Sequence, residues 1–126
     1  MEMVVLVGIS RRALDSLIHS PRKTLELRSA RNIEALSHVK TGDRVFLTYD
    51  TFHDVTKGTG GIIAEVLHVE SMEQRLPWEE SDEREVMVCR VQLRLRGLGK
   101  VVELERKDGV IRALVREMLP HEMAMG

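Results

Sequence analysis

Residues 21–29 read PRKTLELRS, and the fold turns on how this stretch is taken. Pro21 ends the helix before it, because its ring removes a hydrogen bond and crowds the preceding turn. From Lys23 onward apolar and polar residues alternate. In an extended chain Leu25 and Leu27 fall on one side, and Thr24, Glu26 and Arg28 on the other. The stretch therefore reads as a half-buried strand, its leucines toward a core and its polar triplet toward a groove or solvent.

Upstream, MVVLVGI (3–9) is apolar on both faces, as a fully buried strand must be. Ser10 then offers an N-cap to RRALDSLIHS, in which Leu14, Leu17 and Ile18 form one helical stripe. Downstream, ARNIEALSHV reads as a short helix. KTGDRVFLTYD reads as a turn at Lys40–Asp43 and a strand from Val45 to Tyr49. A polar loop ending in glycines, DTFHDVTKGTGG, leads into the strand IIAEVLHVE.

Residues 71–85, SMEQRLPWEESDERE, are acidic and read as a helical turn and a loop. VMVCRVQLRLR alternates again, with Met87, Cys89, Val91, Leu93 and Leu95 on one face and Val86, Val88, Arg90, Gln92, Arg94 and Arg96 on the other. GLG (97–99) reads as a turn and KVVELER as another strand. DGVIRALVREML reads as a closing amphipathic helix with Ile111, Leu114, Val115 and Met118 on one side. The resulting order is β-α-β-α-β-β-β-β-α. It predicts one α+β domain over 1–126, a small and mostly antiparallel β-barrel with peripheral helices. Without repeating βαβ units it is not a doubly wound sheet.

Composition narrows the function classes. The 126 residues are 43% hydrophobic and 31% charged with net charge −1, so nucleic-acid binding has to come from a local patch. Residues 1–45 carry eight cations against five carboxylates, a mild local excess. No apolar run reaches the roughly 18 residues of a membrane-spanning helix. MEMVVLVGIS lacks the basic start and small-residue cleavage site of a signal peptide, so a cytoplasmic location is expected. Cys89 is the single cysteine, which excludes an internal disulfide and a cysteine-based zinc cluster. Fourteen arginines against five lysines, with one Asn and two Gln, suggest a heat-adapted source.

A helix, then SPRKTLELR, a short helix, VKTGDRVFLTY and the glycine-led strand GGIIAEVLHVES: this order, over roughly residues 10–70, resembles the ASCH family of the PUA-like superfamily. That family tends to carry a G-x-K-x-x-E-x-R element before a GD-containing turn. Lys23, Glu26, Arg28, Gly42 and Asp43 match it, while Pro21 or Ser20 stands where the leading glycine would be. The resemblance implies a PUA-like pseudo-barrel with a cleft beside the Lys23–Arg28 strand that accepts RNA or a nucleoside. Some bacterial relatives deacetylate acetylcytidine, using a lysine and a threonine on this strand and a later glutamate. Lys23 is that lysine, but Glu26 stands where the threonine would be. A carboxylate cannot replace a hydroxyl nucleophile, although it can serve as a base on water. Glu65, Glu70, Glu73 and Glu117 are the candidates by position for the later glutamate.

The plainer reading of Lys23, Glu26 and Arg28 is a solvated strand face with a cross-strand ion pair, worth about 0–1 kcal/mol. Arg90, Arg94 and Arg96 read as partners of Glu103 and Glu105 across a hairpin through GLG. Aromatics are few. Phe46 belongs to a core, and Tyr49, Phe52 and Trp78 lie near loops where they can stack on bases. His53 and Asp54 sit in the loop before the glycine strand and are candidates to line the cleft. No histidine spacing suggests a metal, and GTGG ends in no helix, so it suits a close backbone approach rather than a phosphate loop.

Three functions follow. The first is an RNA- or nucleotide-binding module, with Lys23, Glu26, Arg28, Tyr49, Phe52 and His53 as ligand-binding residues and no cofactor, metal or membrane partner. The second is a hydrolase of a modified nucleoside or RNA, with Lys23 and Glu26 as catalytic candidates. The third is a protein-partner role through the Met-rich MLPHEMAMG.

Overall fold

The computed structural model describes residues 1–76 and 84–118. Its elements in chain order are β1 (Glu2–Leu6), α1 (Arg11–His19), β2 (Arg22–Leu27), α2 (Ala30–Leu36), β3 (Arg44–Leu47), β4 (Gly60–Leu76), β5 (Arg84–Lys107) and β6 (Val110–Glu117). Both helices start at serine caps. The Ser10 hydroxyl accepts from the Ala13 N–H and the Ser29 hydroxyl from the Asn32 N–H, each at 3.1 Å. Helix α1 closes with the Ser20 N–H on the Ser16 carbonyl, and Pro21 prevents a further turn.

The strands form a six-stranded mixed sheet in the order β2-β5-β4-β3-β1-β6, and β6 also pairs with β5. Five strands therefore make a closed ring of pairings, and β2 adds to its outside. Only β1 and β3 run parallel, with Val4 opposite Val45 and Leu6 opposite Leu47. One edge of β5 serves two partners: residues 89–94 pair with β2 and 99–107 with β6. Between them the Leu95 N–H bonds the Pro21 carbonyl and the Leu98 carbonyl accepts from Met118.

The ring separates two apolar clusters. Val4, Leu6, Leu17, Leu25, Leu27, Leu36, Val45, Leu47, Val91 and Leu93 belong to one, under the helices. Met3, Val5, Phe46, Ile63, Val101, Ile111, Ala113 and Val115 belong to the other. Strand β1 divides its residues between them, which is why MVVLV is apolar on both faces.

Three expectations are corrected. The closing segment is not a helix but β6. Ile111, Ala113 and Val115 are buried at strand period, while Leu114 is 42% exposed. The run VIRALVRE satisfies both periods, and the turn before it decides. Asp108 and Gly109 have φ of +55° and +77°, the pair of left-handed residues that a two-residue hairpin needs. GLG is not a turn either, since β5 runs straight through it. Neither Gly97 nor Gly99 has positive φ. A Cβ on Gly99 would lie 2.7 Å from a Val115 methyl and 2.9 Å from Ile63 Cδ1, so glycine permits close approach where β5 passes from β2 to β6. Residues 71–76, 84 and 85 are strand rather than helical turn and loop, because β4 and β5 pair out to Leu76 and Arg84. With the carboxyl-terminal helix gone, both helices lie within residues 11–36.

Smaller differences follow from packing. Ile18 is 44% exposed and leaves the α1 stripe to Leu14 and Leu17. Arg90, Arg94 and Arg96 share a strand with Glu103 and Glu105, so they do not face them. Arg90 meets Glu26 and Arg96 meets Glu65 instead. Of the two glycines that open β4, Gly61 makes the expected close backbone approach and Gly60 does not. A Cβ on Gly61 would meet the Leu47 carbonyl oxygen at 2.3 Å and the Phe46 ring at 2.7 Å.

Candidate functional site

Strand β2 carries its side chains as the alternation requires. Leu25 and Leu27 are buried, and Glu26 and Arg28 are exposed. Glu26 is in register with Arg90 of β5. Its Oε1 lies 3.7 Å from Arg28 Nη2 and 3.9 Å from Arg90 Nε, so one carboxylate sits between two guanidinium groups. These side chains are about half exposed, and each pair is worth about 0–1 kcal/mol. The triad orients polar groups at the surface more than it stabilises the fold.

Lys23 lies on the opposite face of β2, with the leucines. Its Nζ donates to the Ser16 hydroxyl of α1, which staples the helix to the strand. The structure therefore brings Glu26 and Arg28 together and does not bring Lys23 to them.

A cleft of about 290 Å³ opens beside β2, lined by Gly8, Ile9, Ser10 and Ala13 on one wall and Leu25–Ser29 with Asn32 on the other. That volume is at the small end of ligand pockets, which run from roughly 300 Å³ upward. Its first wall is held to the β3–β4 loop, with the Gly8 N–H on the Asp50 carbonyl at 2.8 Å and the Ile9 N–H on the Thr48 carbonyl at 3.0 Å. Gly8 takes φ +61° to make this bend. The second wall is tied to the first by Asn32, which is buried. Its Oδ1 accepts from the Val7 N–H at 2.9 Å and its Nδ2 donates to the Val7 carbonyl at 2.8 Å.

The β3–β4 loop, residues 48–59, carries two of the chain's four aromatic residues, Tyr49 at the surface and Phe52 half-buried against the second cluster. Tyr49 is 52% exposed, with the Arg11 guanidinium carbon 4.6 Å from its ring centre. Phe52 has that of Arg31 at 3.6 Å and that of Arg106 at 5.5 Å. The His53 ring packs edge-on against Phe52 at 5.2 Å. Arg11 follows Ser10 of the cleft's first wall, and Arg31 lies between Ser29 and Asn32 of the second. Among the described residues no carboxylate pairs with Arg11 or Arg31. Arg106 reaches from the far end of β5 to hold the loop. Its Nη2 donates to the Phe52 carbonyl at 3.0 Å and to the Val55 carbonyl at 2.6 Å, and its Nε to the Phe52 carbonyl at 3.3 Å.

Of the predicted site residues, Glu26 and Arg28 line the cleft, and Tyr49, Phe52 and His53 lie on the adjoining loop. Asp54 instead accepts from the Thr51 hydroxyl at 2.6 Å. Trp78 and all but the first residue of MLPHEMAMG lie outside the described residues. Glu65, Glu70 and Glu117 do not line the cleft, and Glu65 pairs with Arg96 at 3.6 Å. Cys89 is buried, its sulfur 3.5 Å from the Ser71 hydroxyl. Other hollows are larger, and two of them, of about 410 and 450 Å³, lie between α2 and the β5–β6 turn and around the start of β1. They share His38 and Arg112, and among the described residues no loop bearing Phe, Tyr or Trp lines either of them.

Sequence reasoning missed Arg11, Arg31 and Arg106 as individual residues. The cation excess of residues 1–45 includes the first two, but no local spacing signals a guanidinium stacked on a ring far along the chain.

A ring of five paired strands with a sixth on its outside, two capped helices and a cleft beside β2 define a small α+β protein. Residues 1–115 match the family described as "Protein of unknown function (DUF473)", and the chain belongs to that family. Over 105 residues it is 34% identical to "Uncharacterized protein MJ0105" of Methanocaldococcus jannaschii, covering 83% of this chain and 68% of that one. That relative comes from an archaeal thermophile. The fold is similar to the N terminal domain of Mycobacterium avium complex Lon protease, with a TM-score of 0.53 and 13% identity over 94% of this chain. This chain spans 55% of the length of that structure, and the likeness is one of fold alone. Among the described residues no helix is long and apolar enough to cross a membrane.

Proposed function

We propose that this chain is an RNA- or nucleotide-binding module with a PUA-like barrel of the ASCH type, acting in the cytoplasm. One observation carries the reading. The cleft beside β2 presents Glu26 and Arg28, and the neighbouring loop presents Tyr49 and Phe52, each with an arginine over its ring. A base has hydrogen-bonding edges and a flat face, and a nucleotide adds a phosphate. Arg28 offers a fork to a base edge or a phosphate, Glu26 accepts from an exocyclic amine, and the rings supply stacking. A cleft of about 290 Å³ suits one base rather than a large ligand.

A hydrolase has less support. Lys23 bonds Ser16 on the face of β2 opposite Glu26, so the two do not act on one bond without rearrangement. The test is a titration of the pure protein with short RNA, AMP and acetylcytidine at one stated salt concentration, with acetate release followed in the same samples. Saturable binding of RNA or AMP without turnover supports the module. Acetate release that Lys23→Ala abolishes would make the protein an amidohydrolase.

A further inference from the structure

Resting on that reading, we infer that the ligand is single-stranded RNA, and that the Arg11–Tyr49 and Arg31–Phe52 stacks receive its unpaired bases. The chain is poor in aromatics, with two Phe, one Tyr and one Trp in 126 residues. Phe46 is fully buried, while three residues apart on one loop Tyr49 is exposed and Phe52 is half-buried against the second cluster with Arg31 over its ring. Each has a guanidinium over its ring, at 4.6 Å and 3.6 Å. A guanidinium over a ring can offer a face to a base and its N–H groups to phosphate oxygens.

The rings, rather than a lack of ion pairs, set these two arginines apart, since Arg12, Arg22, Arg94 and Arg112 also have no carboxylate partner among the described residues. Arg28 and Arg90 share Glu26, and Arg96 has Glu65. Arg11 and Arg31 have rings and, among the described residues, no carboxylate partner, which leaves their charge for a polyanion. The loop is also set in advance. Arg106 binds the carbonyls of Phe52 and Val55, and Gly8 and Ile9 bind those of Asp50 and Thr48. A surface held in its binding conformation loses less freedom when the ligand arrives.

Two stacking stations select strandedness. In a duplex both faces of every base are already stacked, and the loop would meet only phosphates. A free mononucleotide fills one station at a time. An unpaired strand fills both, and each base stacked on a side chain is worth roughly a ten- to hundredfold gain in affinity.

The experiment uses the whole chain and a fluorescent, unstructured eight-nucleotide RNA. Anisotropy is read at one stated salt concentration, with the same RNA as a duplex and AMP as competitors. The single strand is expected to bind at least tenfold tighter than either competitor. Tyr49→Leu and Arg31→Lys are each expected to weaken it about tenfold. Arg31→Lys keeps the charge, so the salt dependence should stay that of the wild type while affinity falls. Both side chains are exposed, and a thermal melt checks that each variant is folded. A duplex bound as tightly as the single strand would overturn the inference and leave the module reading in place. So would both variants binding like the wild type. Failure of every RNA and of AMP to bind the wild type would overturn both.

Discussion

The Asn32 side chain bonds both backbone groups of Val7, accepting from its N–H at 2.9 Å and donating to its carbonyl at 2.8 Å. A side chain on α2 thus acts as the next strand for the end of β1. This fixes the separation of the two walls of the cleft. It also fixes which end of the amide carries oxygen, since only one orientation satisfies both groups.

Asn32→Ala is therefore expected to cost more than a surface change on α2. It leaves a buried N–H and a buried carbonyl of Val7 unsatisfied, each worth about 1–3 kcal/mol. Denaturant unfolding should show a loss of about 2–5 kcal/mol at unchanged m. A loss below about 1 kcal/mol would mean that water replaces the side chain and that the walls are not tied by Asn32.

Two adjacent glycines make an internal comparison. Gly61→Ala places a methyl 2.3 Å from the Leu47 carbonyl oxygen and 2.7 Å from the Phe46 ring, while a methyl on Gly60 meets nothing within 4 Å. Gly61→Ala should destabilise by about 1–3 kcal/mol through overpacking, and Gly60→Ala by less than about 0.5 kcal/mol. Parallel melts of the two variants check this, and equal effects would refute the close β3–β4 approach.

Arg106→Gln should loosen the aromatic loop without unfolding the ring of strands. The arginine holds Phe52 and Val55 by charge-assisted bonds from the far end of β5. Hydrogen exchange should quicken about tenfold or more in residues 50–58 and stay unchanged in β1 and β3. Uniform change across the protein, or none, would show that the loop is held by other contacts.

The arginine-rich, amide-poor composition, with a relative from an archaeal thermophile, gives a simple expectation for stability. Calorimetry should place the melting midpoint above the roughly 45–65 °C of mesophilic domains. A midpoint inside that range would remove heat adaptation as the reason for the arginine excess.

Much of this fold was legible because local chemistry and final environment agree. Pro21, the Leu25–Leu27 alternation and the Ser10 cap each specify their structure without help from distant residues. MVVLV read as doubly buried because it is, with one core on each side. Sequence reasoning failed where two periods coexist. VIRALVRE fits a helix and a strand, and the Asp108–Gly109 turn was the stronger signal. GLG read as a turn because glycines usually mark one. Here they mark the place where β5 exchanges β2 for β6, which depends on contacts to Ile63 and Val115. The candidate site was half legible for the same reason. Glu26 and Arg28 follow from β2 alone, but Arg11 over Tyr49 and Arg31 over Phe52 are products of tertiary structure. The face of Lys23 was readable from its parity with Leu25 and was overridden by the family motif that joins it to Glu26.

The measurement closest to the central claim is the affinity of short RNA for the wild type and for Arg28→Glu, at one stated salt concentration. Arg28 is exposed beside Glu26 and carries little of the fold, so reversal of its charge should leave the melt within a few degrees. The account predicts saturable binding by the wild type and a loss of tenfold or more in the variant. Equal affinity for the two proteins would contradict it, because RNA would then be held somewhere other than the cleft beside β2.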